Sequence, residues 1–68
     1  MGENIINTVH DLRTKADITQ EQLAKSLGVT RQTIIAIEKG NYTPSVLLAI
    51  KIATFFKKPV EQVFTYKR

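Results

Sequence analysis

Sixty-eight residues, 43% of them apolar, make one small domain near the lower limit for folding on a hydrophobic core alone, and disorder is not expected. The absence of cysteine excludes a disulfide scaffold, a thiolate metal site and a cysteine nucleophile together. The net charge of +4 is skewed, with three basic and four acidic side chains in residues 1–28 but seven basic against Glu38 and Glu61 in residues 29–68. A polyanion is the natural partner of such a skew, although solvated lysines that keep a domain soluble give the same count. No apolar run approaches the roughly 20 residues that span a bilayer. The N-terminus, MGENIINTVHD, lacks the basic and then apolar segments of a secretion signal, so the expected location is the cytoplasm.

Ile5, Ile6, Val9, Leu12 and Ala16 recur at helical spacing and predict a first amphipathic helix ending near Lys15. Thr19-Gln-Glu-Gln22 fits a capping box, in which the Thr19 hydroxyl takes the Gln22 amide proton and the Gln22 side chain reaches back. Leu23, Ala24 and Leu27 follow on one face of this short second helix, and Gly28 stops it. Thr30 is the next N-cap, with Val29 as the hydrophobic staple and Ile34 and Ile37 as the buried side of a third helix that Gly40 closes. In the turn Asn41-Tyr-Thr-Pro-Ser45, Pro44 suits the first position of a fourth helix capped by Thr43. Val46, Ala49, Ala53 and Phe56 form its inward stripe, with Leu48 and Ile52 beside it. After Lys57-Lys58-Pro59, residues Val60 to Phe64 make a last helical turn or two. The tail from Thr65 to Arg68 is strand-prone, with no strand patterning elsewhere, so the fold class is all-α.

The second and third helices are joined by Leu27-Gly28-Val29-Thr30, and a glycine in so tight a connection is the mark of a helix-turn-helix. Its first helix lies across a DNA backbone and aims the start of the second into the major groove. Many bundles that bind nothing contain short helices and glycine turns, so the turn alone is weak. The whole run from Ile18 to Ser45, ITQEQLAKSLGVTRQTIIAIEKGNYTPS, is more specific and resembles the phage repressor/Cro-type helix-turn-helix family, also called XRE. The likeness continues through Leu48–Ala53 and Val60–Phe64, almost the length of the chain. It implies a five-helix domain like that of the lambda repressor over residues 1–68, with the helix-turn-helix at about 19–39.

The resemblance also implies roles. Arg31, Gln32, Thr33 and Ile35 match base-reading positions, and their chemistry suits the groove. Arginine pairs with guanine, glutamine with adenine, and threonine offers a hydroxyl or a methyl. Helical geometry sets Ile35 beside Arg31 and Gln32, away from Ile34 and Ile37, where a thymine methyl or the flank of the core would cover it. Gln20 matches a glutamine that touches phosphate and braces the recognition helix. Thr30, Lys39, Asn41, Tyr42 and Thr43 fall where the family contacts phosphates. Arg13 and Glu38 match a salt bridge tying the first helix to the end of the third. Asp17 departs from the pattern, which has glycine after the first helix, and a left-handed turn there costs stability.

Paired carboxylates, metal-spaced ligands and a glycine-rich phosphate loop are absent from the sequence. His10, the single histidine, reads as a surface residue, so no enzyme, cofactor, metal or small-molecule substrate is expected. The expectation is a sequence-specific binder of double-stranded operator DNA that regulates, and represses, transcription. It is expected as a homodimer through the C-terminal region 60–68, by Val63, Phe64 and Tyr66 with Leu47 or Phe55 as flanks, including Thr65-Tyr66 pairing across a two-fold axis. The alternative is an interaction module such as an antitoxin or a regulatory subunit on the same fold. The polar start of the third helix speaks for DNA, because a protein-facing helix exposes aromatics there.

Overall fold

The computed structural model describes residues 4–67; Arg68, counted above in the strand-prone tail, lies outside them. The chain runs β1 (Asn4–Asn7), α1 (Val9–Lys15), α2 (Gln20–Leu27), α3 (Arg31–Glu38), α4 (Val46–Phe55), α5 (Val60–Val63) and β2 (Phe64–Lys67). Five short helices enclose one core of Val9, Leu23, Ala24, Leu27, Ile34, Ile37, Leu48, Ile52, Ala53 and Val63, with Leu12, Ile18, Val29, Phe56 and Phe64 packed around it. The all-α class holds, with one small addition.

That addition is a two-stranded antiparallel sheet, in which Ile5 pairs with Tyr66 and Asn7 with Phe64. Ile5 and Ile6 therefore do not extend the first helix. The reason lies at Asn7, whose side-chain oxygen accepts from the Val9 amide at 3.1 Å while its Nδ2 donates to the Ile37 carbonyl at 2.9 Å. The side chain starts α1 at Val9 and pins the preceding segment as a strand. The isoleucines of β1 and the Phe, Thr and Tyr of β2 suit that pairing. The tail thus finds a strand partner for one of its edges within its own chain.

The helix caps follow the sequence closely. The capping box between Thr19 and Gln22 is complete, with Gln22 N–H to Thr19 Oγ1 at 3.0 Å and Thr19 N–H to Gln22 Oε1 at 2.8 Å. Gly28, at φ 76°, closes α2 in the left-handed conformation that glycine adopts without steric cost. The Thr30 hydroxyl caps α3 by accepting from the Thr33 amide at 3.2 Å. At α4 the cap is Ser45, not Thr43: its hydroxyl accepts from the Leu48 amide at 3.1 Å, so the helix begins at Val46 and Pro44 stays in the approach. The inward face of α4 is centred on Leu48, Ile52 and Ala53, whereas Val46, expected inward, stands in the first turn and is 77% exposed.

A candidate nucleic-acid interface

Leu23, Ala24 and Leu27 of α2 and Ile34 and Ile37 of α3 are all buried, so hydrophobic packing fixes the angle between these helices. The opposite side of α3 is left to solvent at its start. Arg31 and Gln32 are exposed, and neither side chain makes a hydrogen bond among the described residues. Thr33 and Ile35 are half-buried. The Thr33 hydroxyl lies 3.0 Å from that of Thr30, so these two share one proton-donor network at the helix start. Lys39, Asn41, Tyr42 and Thr43 are exposed in the connection after α3. The base-reading and phosphate-contacting candidates are thus placed at the start of α3, at the first residue of α2 and in the α3–α4 connection.

The end of α3 is held by a polar cluster around Glu38. Arg13 donates through Nε to Oε2 at 2.7 Å and through Nη2 to Oε1 at 3.2 Å, and its Nη1 donates to the Ile18 carbonyl at 2.9 Å. Gln20, the first residue of α2, donates to Glu38 Oε1 at 3.1 Å. The pair is nearly dry, with side chains only 11% and 5% exposed for Arg13 and Glu38. Burial alone would raise the Glu38 carboxyl. Hydrogen bonds from Arg13, Gln20 and His10, with the Arg13 charge, outweigh it and hold the group below the ordinary glutamate range.

Three contributors were missed in the reading of the sequence. His10, read as a plain surface residue, has Nδ1 3.3 Å from Glu38 Oε1 and 3.2 Å from Arg13 Nη2. Asn7 ties the start of α1 to α3 through Ile37. Lys51 of α4, counted above only as a charge, donates to the Leu27 carbonyl at 2.7 Å. Asn7 had one legible signal, a capping residue type just ahead of an apolar helix start. Among the tail candidates, Val63 is fully buried in the core of its own chain and has no surface left for a partner. Phe64 is half-buried and Tyr66 is 55% exposed.

The helix-turn-helix family pattern matches residues 9–63, from the first residue of α1 to the last of α5. The chain belongs to the XRE-type helix-turn-helix family. It is 56% identical over 61 residues to an HTH-type transcriptional regulator of Methanocaldococcus jannaschii, covering 90% of this chain and 92% of the other. It is 34% identical over 55 residues to the cryptic phage CTXphi transcriptional repressor RstR of Vibrio cholerae, covering 81% of this chain and half of that one. Among solved structures, the restriction-modification controller protein C.AhdI of Aeromonas hydrophila superposes with a TM-score of 0.72 at 28% identity, covering 79% of this chain and 78% of that one. A Bacteroides fragilis protein shares the fold at a TM-score of 0.80 and 20% identity, over 90% of this chain and 98% of that one. This XRE-type chain is a helix-turn-helix protein and not an enzyme.

Proposed function

We propose that this XRE-type protein binds operator DNA, reads the major groove with the start of α3 and represses transcription. The observation that carries the reading is the contrast within α3. Arg31 and Gln32 stand exposed and unspent at its start, while Ile34, Ile37 and the Glu38 cluster hold the rest rigid. A guanidinium and a carboxamide with no hydrogen-bond partner among the described residues match guanine and adenine edges. Gln20 joins the two halves of the device: its amide braces Glu38 from the position where the start of α2 meets a phosphate. Lys39, Asn41, Tyr42 and Thr43 supply the second line of phosphate contacts. Transcriptional regulation is the role named for the archaeal relative, and repression the role named for RstR.

A single copy reads few base pairs, so the protein acts as a homodimer on two half-sites about one helical turn apart. Phe64 and Tyr66, with Leu47 and Phe55 as flanks, remain the proposed contacts, and Leu47 is 69% exposed. The place of action is the cytoplasm; no helix among the described residues is long and apolar enough to cross a membrane.

The test is selection of bound fragments from a genomic or random duplex library, followed by footprinting of the selected site. A recurrent site with protection over two half-sites supports the reading. Recovery of random sequence rejects it. Light scattering on the same protein should give a dimer, and on Tyr66→Glu a monomer that binds the site more weakly. A wild-type monomer at micromolar concentration that binds tightly would overturn the dimer.

A further inference from the structure

On one side of α3, a groove runs between the helix-turn-helix and the start of α4, lined by Thr33, Tyr42, Ser45, Leu47 and Lys51. The Lys51 ammonium has three donors, and the Leu27 carbonyl at 2.7 Å accepts one. No carboxylate lines this groove, and Lys51 forms no salt bridge among the described residues. Across the domain, the groove at the start of α2 differs: Asp17 and Glu21 share it with Gln20 and Arg31. Lys51 is also the only charged residue of α4, whose sequence is VLLAIKIATF.

A cation that has no counter-ion among the described residues, is tethered rather than swinging freely, and shares its groove with three hydroxyl-bearing residues suits an anion. The groove is also continuous with the proposed DNA face, because Thr33 and Tyr42 belong to both. We infer that Lys51 is a DNA-phosphate contact: one N–H caps the Leu27 carbonyl, and the other two remain for the oxygens of a backbone phosphate. The cap gives the contact its purpose. Fixing the ammonium at the end of α2 sets the phosphate in register with the turn that launches α3, so one side chain ties backbone position to base reading. This inference rests on the operator-binding reading and adds a contact to it.

The test is the salt dependence of binding to a selected duplex. Each neutralised phosphate contributes about −0.9 to the slope of log affinity against log salt. Lys51→Met should lower the magnitude of that slope by about one and weaken specific and random duplexes alike, while Lys51→Arg restores it. A residue that only caps α2 would lower the melting temperature and leave the slope of the folded protein unchanged, and that result overturns the inference. Should Lys51→Met fail to fold, acetylation of the wild-type protein decides: bound duplex should slow modification of Lys51 several-fold relative to Lys57, and equal rates overturn the contact. Failure of the wild-type protein to bind any duplex is a separate outcome, which rejects the operator-binding reading itself.

Discussion

The Gln20 amide donates to the Glu38 carboxylate across 3.1 Å, joining the first residue of α2 to the last residue of α3. The two helices of the helix-turn-helix are therefore fastened at both ends: by the turn at Gly28, and by this contact at the ends far from the turn. The same carboxylate receives Arg13 from α1, so one group fixes three helices. Glu38→Ala leaves the buried Arg13 guanidinium without its counter-ion. The expected loss is roughly 3 kcal/mol, at the low end for breaking a buried pair, because Arg13 keeps the Ile18 carbonyl. Urea denaturation measures it, and a loss below about 1 kcal/mol would reduce the pair to a surface ornament.

Acid should undo the same contact. The folded-state value of Glu38 is lowered, so its contribution to stability is complete above the unfolded value near 4.5 and is lost as pH falls through the lower folded value. The difference in melting temperature between wild type and Glu38→Gln should stay level from neutral pH to about pH 5.5 and shrink below the unfolded value. A difference that stays constant down to the lowest pH at which the fold survives would place the titration elsewhere.

Asp17 adopts φ 60°, the left-handed conformation that glycine takes at less steric cost. Asp17→Ala should cost about 1 kcal/mol, since alanine gains nothing from a short polar side chain in that region. Asp17→Gly should instead match or exceed wild type by roughly 0.5 kcal/mol, the backbone relief outweighing the extra freedom of the unfolded chain. It also removes a carboxylate from the groove beside Gln20 and Arg31, so DNA affinity should rise. Equal stability of the alanine and glycine variants would show that the turn stores no strain.

What the sequence made legible was chemistry completed within a few residues. The box of Thr19 and Gln22, the stop at Gly28 and the cap at Thr30 each close over three or four positions, and all stand where they were expected. The strand at Ile5 and Ile6 did not show. Their spacing to Val9 and Leu12 satisfies a helix equally well, and the deciding partner, β2, lies at the other end of the chain. Ser45 against Thr43 was a choice between two hydroxyls two residues apart, settled by which backbone meets the extended cap geometry. In the candidate site, Arg13 and Glu38 were legible only through the resemblance. The contacts of Asn7 and Lys51 end on backbone carbonyls of α3 and α2, and a carbonyl has no residue type to betray it.

The division within α3 yields the sharpest outcome. Arg31 and Gln32 are exposed and make no side-chain hydrogen bond among the described residues, so Arg31→Ala or Gln32→Ala should leave stability within about 0.5 kcal/mol. Each should lose roughly 1–3 kcal/mol on the preferred site and little on random DNA, because a bidentate base contact carries sequence information and a phosphate contact does not. Ile37, fully buried, should behave in the opposite way, with Ile37→Ala costing about 2–5 kcal/mol of stability. Ile35 separates the readings. Its half-burial predicts a stability loss of roughly 1 kcal/mol for Ile35→Ala, with relaxed preference at a single base pair if its exposed half covers a thymine methyl. Library selection with each variant reports both effects at once. Should Ile35→Ala unfold the domain while Arg31→Ala keeps full specificity, α3 serves as a support for the fold, and the interaction-module alternative replaces base reading.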